Sequence, residues 1–126
     1  MTPDTLLLRQ IHPAFVQAGR VTSQAFRPTP KDQSLLSVDN GSRISAAAAW
    51  QRFTAAPHCQ SAGVQSVSCG ECAQQNLPVH EDGTPYPEHC SIDFSGCNNS
   101  AAVKKSQKLR VLAEQRGWLF KADGEL

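Results

Sequence analysis

The chain has 126 residues, 40% of them apolar and 18% charged, which is the size and make-up of one ordinary domain able to bury its own core. Twelve Lys and Arg against eleven Asp and Glu give a net charge of +1, so no overall basic footprint for nucleic acid shows. With no apolar run near membrane-span length, these figures exclude a membrane helix, a coiled coil, a collagen and a long disordered tail.

Residues 6–11 alternate weakly and read as a first strand, opened by the short apolar run Leu6-Leu7-Leu8. That run is too short for the core of a signal peptide, so a cytosolic location is expected. Pro13 interrupts the strand, since proline has no amide donor and pushes the residue before it to extended geometry. Residues 20–28 are expected to be extended and 27–34 to form a proline-bearing loop. Leu35, Leu36 and Val38 suit a short strand closed by the turn signal Asp39-Asn40-Gly41.

Ser45 is placed to cap a first helix, with Ala46, Ala49, Trp50 and Phe53 on one face and Pro57 as the stop. A strand follows over 62–67, with Gly63 a weak point or bulge. Ser68 and Glu71 have capping-box spacing for a short helix over 69–75. Residues 76–88 are polar and turn-rich and read as an exposed loop. His89 to Phe94 alternates as a half-buried strand, Cys90, Ile92 and Phe94 inward and His89, Ser91 and Asp93 outward. Ser100 can cap a last helix with an inner stripe of Ala102, Leu109, Leu112 and Ala113, stopped at Gly117. Trp118-Leu119-Phe120 suits a last strand or docking tail. This irregular interleaving predicts one α+β domain over 1–126: a small mixed or antiparallel sheet, two main helices, and a single helical layer packed on the sheet.

The near-zero charge is a sum of opposed segments. Residues 1–70 and 98–126 each carry +3, whereas 71–97 carry five acids and no Lys or Arg. Glu71, Glu81, Asp82 and Glu88 in that centre are candidates for a surface facing a protein partner. The Lys-rich last helix could instead touch phosphate backbones, which makes nucleic acid a further possible partner.

Five cysteines are an odd number and fit free thiols in a reducing compartment. Cys69, Cys72, Cys90 and Cys97 are the candidate set for a structural zinc, because a CxxC turn supplies two tetrahedral ligands at once. Their second gap is not that of a zinc ribbon, so unligated thiols and no cofactor are the expectation, with zinc as the alternative. Cys69 at a helix start could also be a redox thiol.

A polar set can carry ligand chemistry: Arg9, His12, Ser23, Arg27, His89 and Asp93. Arginines suit an anion and a His/Asp pair suits proton transfer. His89 and Asp93 lie about 13–14 Å apart along a strand at ~3.3–3.4 Å per residue, so each would need a partner from another element. Walker, GxGxxG, HExxH and GxSxG patterns are missing from the chain.

Through Thr22-Ser23-Gln24-Ala25-Phe26-Arg27-Pro28-Thr29-Pro30-Lys31-Asp32, Leu36-Ser37-Val38 and His89-Cys90-Ser91-Ile92-Asp93-Phe94-Ser95, the chain resembles an uncharacterised family of small bacterial proteins. It is also faintly similar to ADP-ribosyltransferase-like folds of the RES toxin type. That similarity implies a nicotinamide nucleotide held by Arg9 or His12 on the first strand, Ser23 or Ser37, and the helix from Ala46. Three functions follow as expectations. The first is a partner-binding protein, such as an accessory or immunity-type component of a bacterial defence, toxin–antitoxin or effector system. The second is a small ADP-ribosyltransferase-like or nucleotide-binding enzyme, and the third a zinc-stabilised nucleic-acid module.

Overall fold

A computed structural model describes residues 1–29 and 33–122. Positions 30–32 of the expected loop, with Lys31 and Asp32 of the resemblance motif, lie outside the described residues.

The leucine run forms strand β1 (Leu6–Gln10), and its alternation decides the architecture. Successive side chains on a strand point to opposite faces. Leu7 enters one apolar cluster and Leu8 another. Both faces of the sheet must therefore be covered.

The remaining elements, in chain order, are a hairpin of β2 (Val16–Gln17) and β3 (Arg20–Val21), a 3₁₀ turn over Ser23–Phe26, β4 (Leu35–Asn40), and α1 (Ala46–Thr54). Then come β5 (Gly63–Ser68), α2 (Cys69–Gln74), β6 (Val79–His80), β7 (His89–Asp93), α3 (Asn99–Arg116) and β8 (Phe120–Lys121). Six strands make one sheet in the order β6-β7-β4-β1-β5-β8, every pairing antiparallel. The fold is α+β, with two main helices packed against the sheet.

The two helices do not share a layer, which corrects the expected single one. Leu109 and Ala113 of α3 pack with Leu7, Leu36, Val67, Cys90 and Ile92 on one face. Ala49 of α1 packs with Leu8 and Val64 on the other, and Trp50 stacks on Phe120 of β8 at 5.1 Å between centroids. The signal was legible as an uninterrupted leucine run, since a strand buried on both faces does not alternate.

The caps explain most boundaries. Ser45 accepts from the Ala48 amide, and Ser68 with Glu71 completes a reciprocal capping box. α3 starts earlier than expected: Asn98, not Ser100, is the cap and accepts from the Ala101 amide. Gly117 ends α3 with φ +86°, the left-handed region glycine enters without a Cβ clash. The segment 20–28 is not extended throughout, because the Arg27 amide bonds back to Gln24 and closes the 3₁₀ turn. Arg116 ties three elements together, donating to the Ser66 carbonyl and to both oxygens of Glu71.

Gly63 is the tightest backbone approach in the sheet. A Cβ there would lie 2.4 Å from the Phe120 carbonyl oxygen and 2.9 Å from the Trp118 ring, and its φ is +149°. Gly63→Ala is therefore expected to break the β5–β8 pairing and cost more than about 2 kcal/mol, read from urea unfolding. A loss below about 0.5 kcal/mol would contradict that packing.

Candidate functional site

The sheet splits down its middle. β1 pairs with β5 along its full length, yet with β4 only at Leu7–Asn40 and Leu8–Asp39. Beyond Leu8 the two strands part, while β4 stays paired with β7 down to Leu35–Asp93. The Arg9 guanidinium bridges the gap. Its Nη1 donates to the Ser37 carbonyl at 3.0 Å and its Nε to the Ala25 carbonyl at 2.7 Å.

On the α1 side of this split lies a cleft of about 360 Å³. Its walls are β1 (Leu8 to Gln10) and His12, β4 (Ser37 to Asp39), α1 (Ala49, Arg52, Phe53), the segment 58–60, Pro85 and Tyr86, and His89. The sheet register places Ser37, Asp39, His89, Ser91 and Asp93 on this one face. α1 covers only the β1-β5 half, so the polar half of the face stays open beside it.

His89 is the best-built group there. Its Nδ1 lies 2.5 Å from Asp82 Oδ1, and the Ser91 hydroxyl donates to Asp82 Oδ2 at 2.5 Å. Burial alone would raise the Asp82 pKa, but the bonds from His89 and Ser91 outweigh it and hold the carboxyl below its ordinary value. An ionised carboxylate only accepts, so the proton of the bond sits on His89 Nδ1. In the neutral ring Nε2 then carries a lone pair. This is how a carboxylate orients an imidazole for proton transfer.

Arg52 organises the other wall. It donates to Glu88 Oε1 at 2.5 Å and to Asp39 Oδ1 at 3.0 Å, and its guanidinium carbon lies 3.8 Å from the centre of the Tyr86 ring. The two carboxyls respond in opposite directions. The Arg52 bond lowers Glu88, whereas burial raises Asp39 against the pull of Arg52. Asp39 is the more enclosed of the pair in the sheet, which is reason enough for burial to dominate there.

The expected ligand set is thus only partly assembled. Arg9, His12 and His89 line the cleft. His12 also accepts the Ala14 amide on Nδ1, capping a short turn. Ser23 sits on the 3₁₀ turn, outside the cleft. Arg27 lines a separate groove at the head of α3 with Ser34, Phe94 and Asn98. Asp93 shares the sheet face but pairs with His80 at 2.8 Å and with the Ser95 amide. His89 takes its partner from the segment after β6, a strand hidden inside the polar stretch 76–88. The cleft also takes in Gln10, Arg52, Cys59 and Tyr86, which carry no motif in the sequence, Asp39 from the turn signal, and His58, which the sequence offers only as a further metal ligand. For Gln10 a signal existed: alternation puts it on the face of Leu8, where an apolar residue would be usual.

The acidic candidates are mostly committed within the chain. Glu71 pairs with Arg116, Asp82 with His89 and Glu88 with Arg52. Glu81 alone of the four has no such pair among the described residues. It borders a larger but more open groove of about 710 Å³ along Met1, Pro3, Cys69, Leu77 and Val79, which holds no second ionised side chain to work with.

All five thiols are free. Cys72 and Cys90 are buried in the core with Leu7 and Ile92. Burial pushes their pKa values up to about 12 and about 11. Cys69 at the start of α2 is also raised, by burial, so the helix end does not activate it. Among the described residues no three His, Cys, Asp or Glu side chains converge to hold a metal. Among them too, no helix is long and apolar enough to cross a membrane. No family model, curated protein or solved structure matches the chain.

Two outcomes follow. In the folded protein at pH 7.5, iodoacetamide is expected to label Cys59, Cys69 and Cys97 well before Cys72 and Cys90, with all five reacting in denaturant; early labelling of Cys72 would contradict its burial. Asp93 is held at about 2, first by its bonds from Ser95 and His80. Its ordinary value is about 3.9, so its stabilisation is complete above about pH 4 and drains away as pH falls toward 2. Asp93→Asn should flatten that acid limb in urea midpoints measured against pH, and an unchanged limb would contradict the assignment.

Proposed function

We propose that the cleft in the split sheet binds a small polar ligand of nucleotide class, and that His89 moves a proton on it. The observation carrying this reading is the Ser91–Asp82–His89 chain, which commits one imidazole nitrogen and leaves Nε2 for the cleft. Such a nitrogen can take a proton from a hydroxyl or a water and return it to a leaving group. Tyr86 and Phe53 offer ring faces to a planar group. His12 and His58 offer nitrogens to an anionic one.

The resemblance to ADP-ribosyltransferase-like folds supports the same choice in part. Both candidates for its first-strand position, Arg9 and His12, and one of its two serine candidates, Ser37, meet α1 around this one cleft, whereas Ser23 lies outside it. A protein-partner role would draw on the acidic segment, where internal pairing leaves Glu81 as the free carboxylate. The cleft is the better supported of the two.

A thermal-shift panel of NAD, ATP, adenosine, uridine and inorganic phosphate at millimolar concentration tests this. At least one nucleotide-class member is expected to raise the melting temperature by several degrees, since a ligand that binds only the folded state stabilises it. His89→Ala is expected to keep the fold and lose turnover or proton release while retaining part of that shift. A panel in which nothing but phosphate, or nothing at all, stabilises the wild type would sink the proposal.

A further inference from the structure

Gln10 is an unexplained residue in this cleft. It ends β1 on the α1 face, opposite Val64 in the register. Its Oε1 and Nε2 are both buried, and neither meets a hydrogen-bonding partner in the protein. A buried amide with neither group paired is destabilising, and an apolar side chain of the same shape would be better there. The residue as a whole is only half-buried and lines the cleft, so its exposed surface is stem and backbone. The amide has three side-chain torsions with which to turn outward, and it breaks no hydrogen bond in doing so.

We infer that Gln10 reads the edge of a planar ring that carries a donor and an acceptor side by side, as a nucleobase does. Resting on the cleft's assignment as a ligand site, this names the part of the ligand that is recognised. A primary amide has its N–H and C=O in one plane at fixed spacing, so it pairs with such an edge through two parallel hydrogen bonds. The neighbouring ring surface fits the same ligand. Tyr86 is exposed, and because the Arg52 guanidinium covers one face of its ring, the opposite face is the one a base would stack on. A flat base stacks on an aromatic face whatever its identity, and the edge contact then selects among bases.

The test compares uracil and hypoxanthine with 1,3-dimethyluracil and 9-methylpurine, which keep the rings but carry no N–H to complete a donor–acceptor edge. Binding to the full chain is followed by NMR titration of backbone and His89 signals. Uridine and uridine monophosphate show whether the base arrives free or as part of a nucleotide, and ribose 5-phosphate reports on the sugar-phosphate alone. At least one of the two lactam bases is expected to bind about tenfold or more tightly than its blocked counterpart. Gln10→Leu should abolish that preference and raise the melting temperature of the ligand-free protein.

Equal binding of blocked and unblocked bases, or a preference that survives in Gln10→Leu, would overturn the inference. Binding of ribose 5-phosphate without any base would overturn it too, while leaving the cleft as a ligand site. No binding by any of these compounds overturns it, and the cleft itself then stands or falls with the wider panel. Should Gln10→Leu fail to fold, the comparison of blocked with unblocked bases on the wild type still decides.

Discussion

The cleft depends on the parting of β1 from β4. Two residue pairs hold these strands together, and after Leu8–Asp39 the backbone groups on either side need other partners. A sheet does not leave such groups unpaired in its interior without cost. Arg9 supplies part of the answer by donating to the Ser37 carbonyl from a side chain instead of a main chain. Its second bond, to Ala25, anchors the 3₁₀ turn that lies against α3. One side chain thus keeps the split open and ties it to the opposite layer. The cleft forms on the face where α1 is too short to reach across.

The charge pattern takes on a structural meaning in this frame. The acidic centre is not a free negative surface. Arg52 from the first basic segment meets Glu88, and Arg116 from the last meets Glu71. These two contacts draw the three charge segments together. Exposed pairs such as Arg20 with Glu114 add little by themselves, since solvent screens them. The half-buried Arg52 pair matters more, because it fixes one wall of the cleft and the ring that lines it.

Local signals in the chain were easy to read and nonlocal ones were not. Ser45, the Ser68–Glu71 box and Gly117 each act within a few residues, and each stands where its chemistry predicts. The alternation from His89 to Phe94 assigns the residues of β7 to the right faces, with Cys90 and Ile92 in the core, but Ser91 on the other face is buried as well and not outward to solvent. β6 was missed because two residues carry no period, and they exist as a strand only through pairing with Ser91 and Ile92. The partner of His89 was hidden for the same reason. The spacing along β7 did show that Asp93 was too distant, and Asp82 is brought in by that unseen strand.

The same distinction explains the cysteines and Gln10. CxxC spacing is a local fact, but whether thiols converge on a metal depends on the core, and here two of them are simply apolar filler. Gln10 shows the reverse. Its position in the period was legible, but its unpaired amide is visible only once the surrounding elements are in place.

In the proposed site, Asp82 fixes the His89 ring with its proton on Nδ1 and leaves Nε2 to the cleft. ¹⁵N-imidazole NMR at a pH where the ring is neutral tests this most directly. One dominant tautomer, protonated at Nδ1, is expected, which Asp82→Asn scrambles. An averaged pair of tautomers in the wild type, or a proton on Nε2, would contradict it.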